Sequence, residues 1–236
     1  MSTLAAPLKG QATSNSLPEL IPTDKPIRIA REGRDPQILT DIYRNNTNIA
    51  IWQRQLNDEL TLAIDEILKS NARLAITEVV TAESTRSKLY QALGKTNAVI
   101  TISNDISLLV DMFCCLFDIK QAGLRLTALD SAMCPRFHFD RIPCRMVSTY
   151  QGIATEWLPH NYVNHNKLGA NNQGKSDDVS GLFQSTDDIR QLNNGDVALL
   201  KGEYWHNNEG GGLVHRSPSV SIGERRLLLT LDFIND

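Results

Sequence analysis

The chain has 236 residues, 41% hydrophobic and 22% charged, with a net charge of −3, the balance of a soluble globular protein with one sizeable domain. That charge gives no electrostatic footprint for nucleic acid or for an anionic membrane, so neither is an expected partner. No basic start followed by an apolar core opens the sequence, and the apolar stretch 106–119 contains Asp111 and is too short for a membrane span; the expected location is cytoplasmic.

In chain order, residues 1–45 carry Pro7, Pro18, Pro22, Pro26 and Pro36 among scattered polar residues, which predicts an N-terminal arm that either lies on the domain or is partly disordered. Residues 46–236 are then one catalytic or metal-binding domain. From Asn48 the apolar residues Ile49, Trp52, Leu56, Leu60, Ile64, Ile67 and Leu68 recur mostly at helical spacing, predicting an amphipathic helix that runs to Ser70. A second helix is predicted over 84–93, ended by Gly94, and a third from an N-cap at Ser103 or Asn104 through Phe117, stopped by Gly123. This helical part, 46–122, holds no cluster of ligand-type residues, and its expected role is to brace a sheet.

Beyond Gly123 the pattern changes to short strand-like runs at 124–129, 137–139, 145–150, 197–201, 212–215 and 226–233, with turn signals at 193–196, 210–212 and 222–224. Helices first and strands second predict an α+β fold, a helical N-terminal half packed on an antiparallel sheet or jelly roll over 123–236. The polar stretch 158–192, rich in Asn, Gly, Ser and Asp, reads as a lid on the substrate side. Cys114, Cys115, Cys134 and Cys144 form no Cys-x-x-Cys pair and are expected as reduced thiols in packing roles.

Chemistry concentrates in His138, Asp140 and His215. Residues two apart on a strand point to the same face, so Phe137-His138-Phe139-Asp140 sends the imidazole and the carboxylate one way and the two Phe rings the other. His215 follows in a Gly-rich segment just before Pro218. Two imidazoles and one carboxylate are the donor set of a facial triad, which holds a divalent iron and leaves positions open; the same donors also suit zinc. Arg225 and Arg226 open the last apolar strand, where a charge is costly unless it meets an anion. Strand parity allows only one of the two to point inward. Tyr150 is a candidate partner for a bound carboxylate, and Thr155-Glu156-Trp157 either contacts substrate or turns the chain. His160, His165 and His206 lie in polar segments and are expected to be solvated.

This layout, His-x-Asp, a Gly-Asp turn at Gly195-Asp196 feeding an apolar strand, then His215 and a basic residue on the last strand, resembles the double-stranded β-helix of the iron(II)- and 2-oxoglutarate-dependent oxygenases, the prolyl-hydroxylase-like branch above all. The resemblance covers residues 124–233. It implies a cupin-like jelly roll, His138, Asp140 and His215 as iron ligands, and Arg226, ahead of Arg225, as partner of the distal carboxylate of 2-oxoglutarate. Lys201, where an apolar strand end is usual, and the long polar insertion depart from the pattern. The block 134–140, Thr149-Tyr150, Gly152, 155–157 and 202–218 also resembles an uncharacterised bacterial family of unknown function, which implies no activity. The expected function is a hydroxylating oxygenase acting on a small molecule or a protein. The other reading is a cupin-like protein that binds zinc without redox chemistry.

Overall fold

The computed structural model describes residues 27–71, 73–172 and 174–234. The first 26 residues of the predicted arm lie outside the described residues. The strands are β1 (Ile29–Gly33), β2 (Thr47–Trp52), β3 (Ala75–Val80), β4 (Ala122–Leu129), β5 (Cys144–Gln151), β6 (Glu156–Leu158), β7 (Arg190–Gln191), β8 (Val197–Lys201), β9 (Val214–Arg216) and β10 (Arg226–Asp232). The helices are α1 (Asp58–Ser70), α2 (Ala82–Leu93), α3 (Asn97–Phe117) and the single-turn α4 (Asp177–Ser180).

Seven strands form one sheet in the order β1-β2-β8-β5-β10-β4-β3, antiparallel except for the β1–β2 pair. A smaller antiparallel sheet has the order β7-β6-β9. His138 extends it beyond β9 through a reciprocal pair of backbone hydrogen bonds with His215, 3.0 and 2.9 Å. Strand alternation sorts the large sheet into two faces. Leu227, Leu229 and Leu231 of β10, Met146 and Tyr150 of β5 and Leu199 of β8 pack against the helices. Leu228, Val147, Ala198 and Leu200 face Trp157, Leu192 and Leu213 of the small-sheet side. Between the two sheets lies the site.

The first half is more sheet-like than its sequence suggests. Residues 48–52, expected as the start of a helix, lie in β2, which is buried on both faces between β1 and β8. Ala50 faces the helices while Ile49 and Ile51 face the small sheet, so the polar–apolar alternation that would mark a strand is missing. The helix begins only at Asp58, where Asn57 Oδ1 accepts from Leu60 N at 2.8 Å. β1 and β3 were not anticipated either; both are edge strands, and β3 alternates too weakly to stand out. The helical N-terminal half is thereby corrected to helices interleaved with three strands of the large sheet.

α2 matches its prediction closely, with Gly94 as C-cap. α3 starts at a Thr96 cap rather than at Ser103, which lies fully buried inside it. It ends at Asp118 in the left-handed region, φ 52°, and Gly123 belongs to β4. At 21 residues α3 is, by length and composition, apolar enough to cross a membrane, the only such helix among the described residues. In this fold Ile102, Ile106, Leu109, Val110 and Phe113 are buried in the core between the other helices and the large sheet.

Gly152 turns the chain between β5 and β6 with φ +85°, and a Cβ there would lie 2.5 Å from Arg225 O and 2.9 Å from Arg226 Cα. Gly152→Ala is therefore expected to lose about 2–5 kcal/mol, backbone strain plus overpacking, seen as a lower urea midpoint. A midpoint within error of wild type would contradict this packing.

Candidate metal centre

The segment 137–140 is held from both sides. Phe137 is buried against Phe183, Leu158 and Val214, and its backbone N–H donates to Asp177 Oδ2 at 2.8 Å. On the opposite side the chain passes close under Gly202, where a Cβ would lie 2.0 Å from Ile142 O, and Glu203 N donates to Asp140 O at 2.8 Å. Held this way, His138 and Asp140 turn toward His215 on β9.

The three side chains converge: one donor atom from each lies within 4.8 Å of the others. His138 Nε2 is 3.7 Å from Asp140 Oδ1, His215 Nε2 is 3.6 Å from Asp140 Oδ2, and the ring centroids are 4.7 Å apart. Both rings are fixed through their other nitrogen. Nδ1 of His138 lies 2.9 Å from Arg136 O and Nδ1 of His215 lies 3.1 Å from Leu213 O. A carbonyl only accepts, so Nδ1 carries the proton and Nε2 keeps a lone pair toward Asp140, as metal-ligating histidines do. Burial pushes the His215 pKa down to about 4, which keeps it neutral at pH 7, the form that binds metal. The donor set fits a divalent transition ion.

Arg145 is a part of this site that the sequence reading did not single out. It projects from β5, its Nη1 donates to Asp140 Oδ2 at 2.8 Å, and its Nε and Nη2 grip Asp232 at 2.6 and 3.0 Å. The guanidinium ties the carboxylate to β10 and leaves one Asp140 oxygen free of it. A signal was present: a charge at the head of an apolar strand, the reasoning that drew attention to Arg226. Arg145→Gln is expected to weaken zinc binding by roughly 10- to 100-fold in a chelator competition, the usual loss when an outer-shell partner goes. Arg145→Lys, which keeps the charge but not the fork, recovers only part. Affinity unchanged in both would show that Asp140 needs no such brace.

Arg226 and Arg225 take opposite faces, as parity requires. Arg226 is 1% exposed and lines the same cleft as His138 and His215. Its Nη1 donates to Ser217 Oγ at 2.9 Å and its Nη2 to Thr155 Oγ1 at 2.7 Å and Thr149 Oγ1 at 3.3 Å, while its Nε has no partner. Only hydroxyls meet this cation, and burial lowers its pKa to about 10. Arg225 instead reaches the end of α1, donating to Leu68 O and, at 2.9 Å, to Asn71 O.

Other expectations resolve differently. Tyr150, expected to meet a bound carboxylate, is turned to the helix face; its hydroxyl donates to Asp105 Oδ2 on α3 at 2.6 Å. On β5 it is the inward-pointing Thr149 that reaches Arg226, so the Tyr150 assignment fails by one step of strand parity. Thr155 faces the cleft, Glu156 pairs with Arg216 at 2.6 Å, and Trp157 is core. Lys201 is fully buried, donating to Arg44 O at 2.9 Å and lying 4.8 Å over Trp205. Cys144 is buried in the core, while Cys134 lies exposed at the cleft. His206 is exposed, but the rings of His160 and His165 lie 4.6 Å apart and are partly buried. Among the described residues of the stretch 158–192, none lines the cleft. Leu168, Leu182 and Phe183 anchor it behind the His138 strand, so its expected role as a lid over the substrate is corrected. Three apolar residues spread over a polar segment were too sparse to announce that packing.

The profile of a family described as "Protein of unknown function (DUF1826)" matches residues 33–232. No curated protein sequence matches. Among solved structures, the rice dioxygenase for auxin oxidation is 13% identical, covers 88% of this chain and 83% of its own, and superposes with a TM-score of 0.50. HygX from Streptomyces hygroscopicus, solved with iron bound, is 12% identical over 84% of this chain and 85% of its own, TM-score 0.46. A Pseudomonas putida prolyl-4-hydroxylase is 11% identical over 84% of this chain and 97% of its own, TM-score 0.43. At these identities a likeness speaks to fold alone, and the rice enzyme carries it.

Proposed function

The chain belongs to the DUF1826 family, and we propose that it is an iron(II)- and 2-oxoglutarate-dependent oxygenase-like enzyme that hydroxylates a substrate bound in the cleft. The observation that carries this is Arg226: a guanidinium almost wholly buried, with no carboxylate partner among the described residues, in the cleft that His138 and His215 also line. A buried charge of this kind is costly unless an anion completes it. A zinc-handling protein would use the same three donors but has no role for that cation.

In this reading His138 Nε2, His215 Nε2 and an Asp140 oxygen would hold the metal, and Arg145 orients the carboxylate. Arg226 binds the distal carboxylate of 2-oxoglutarate by paired charge-assisted hydrogen bonds, and the Ser217 and Thr155 hydroxyls keep the guanidinium aimed. Val147 and Leu228 line the floor and exclude water around that ion pair. Iron and 2-oxoglutarate, when bound, supply the oxidative decarboxylation that drives hydroxylation of a C–H bond. The chain's own share is binding, orientation and a dry site.

Aerobic incubation with iron(II) and 2-oxoglutarate tests this. Succinate is expected to form with matching oxygen uptake, slowly without substrate. No succinate above the level of a His138→Ala control would overturn the proposal.

A further inference from the structure

We infer that the substrate is an organic acid with an apolar body, and that Arg125 receives its carboxylate. The inference rests on the oxygenase reading for the role of the bound acid, though the anion site itself is read from the cleft. Four guanidinium groups line that cleft, those of Arg125, Arg145, Arg216 and Arg226, while the carboxylates beside it, Asp140 and Asp232, both accept from Arg145. Two of the four are matched from behind. Arg145 lies between Asp140 and Asp232, and Arg216 pairs with Glu156 at 2.6 Å and Asp177 at 3.8 Å. Arg226 is assigned to 2-oxoglutarate. Arg125 remains.

Its nearest acid is Asp232, at 4.0 Å from Nη1, beyond hydrogen-bond reach, and both Asp232 oxygens already accept from Arg145. The Arg125 side chain is 53% exposed, so a ligand can reach it. Directly across the β4–β10 ladder stands Thr230, which also lines the cleft. Its Oγ1 is buried and has no hydrogen-bond partner, so a donor–acceptor hydroxyl waits beside the unmatched guanidinium. Together they make one cation and one hydroxyl, enough for a carboxylate. Thr230 lies four residues along β10 from Arg226, about 13 Å at the rise of a strand, so this anion site is separate from the one assigned to 2-oxoglutarate. Between them the floor is Leu228 and Val147, and Met133 lines the same cleft, surfaces that suit an apolar body.

Benzoate and its neutral analogue benzamide are the probes. Zinc-loaded protein saturated with 2-oxoglutarate is titrated with each, following the Arg side-chain N–H resonances by NMR. Benzoate is expected to shift the Arg125 resonance and to bind at least about tenfold more tightly than benzamide. Arg125→Gln is expected to lose that preference while binding 2-oxoglutarate as wild type does. Equal binding of benzoate and benzamide, or an unaltered benzoate affinity in Arg125→Gln, would overturn the inference. Failure of 2-oxoglutarate to bind the wild type would instead count against the oxygenase reading. The benzoate comparison, repeated on zinc-loaded Arg226→Gln, then still decides whether Arg125 is an anion site.

Discussion

His215→Ala is expected to lose metal affinity by about 10²–10³-fold while the chain stays folded. The size follows from dividing the 10–16 kcal/mol of a four-ligand zinc site evenly, about 3 kcal/mol per ligand. This exceeds the loss expected for Arg145→Gln, because a donor is removed rather than misoriented. Folding survives because the His138–His215 ladder is made by backbone atoms and does not need the imidazole. His138→Ala should behave alike, and His206→Ala, at an exposed position outside the donor cluster, should match wild type. Competition against a chromophoric chelator reads the affinities, and near-ultraviolet circular dichroism reads the fold. If His206→Ala lost as much affinity as His215→Ala, the centre would lie elsewhere.

Arg226→Met separates function from stability. Truncating one side of a buried charge pair costs about 2–5 kcal/mol of binding, roughly 30- to 4,000-fold in 2-oxoglutarate affinity. Without ligand the same change is expected to leave stability equal to wild type or higher. The buried guanidinium faces only the hydroxyls of Ser217, Thr149 and Thr155, and its lowered pKa records the cost of keeping it charged. An apolar side chain of similar length removes that cost. Were Arg226 a structural cation, the substitution would instead lower the urea midpoint strongly and leave 2-oxoglutarate binding untouched.

The candidate site was more legible in the sequence than the fold around it. His138 and Asp140 sit two apart on a locally extended segment, and His215 precedes a turn; these are local signals, and the structure brings their side chains together. Strand parity required that only one of Arg225 and Arg226 face inward, the resemblance favoured Arg226, and Arg226 is the one that lines the cleft while Arg225 caps α1. The expectation for Tyr150 failed because the sequence does not say which face of β5 is inward; that is decided by pairing with β8 and β10, far along the chain. β2 escaped for a related reason. A strand buried on both sides reads as apolar throughout, and its neighbours β1 and β8 lie at opposite ends of the sequence. The charge of Arg145 at the head of its strand was legible, but its partners were not, because its two carboxylates, Asp140 and Asp232, are joined only in three dimensions.

In the proposed site one cleft would hold both a metal on His138, Asp140 and His215 and a carboxylate on Arg226. Anaerobic titration of the iron(II)-loaded protein with 2-oxoglutarate tests it most directly, because chelation of ferrous iron by the oxoacid gives a visible absorption band. Wild type is expected to develop the band to saturation with one equivalent bound, Arg226→Met only at far higher 2-oxoglutarate, and His215→Ala not at all. A wild-type protein that holds zinc tightly and shows no band at any 2-oxoglutarate concentration would contradict the account.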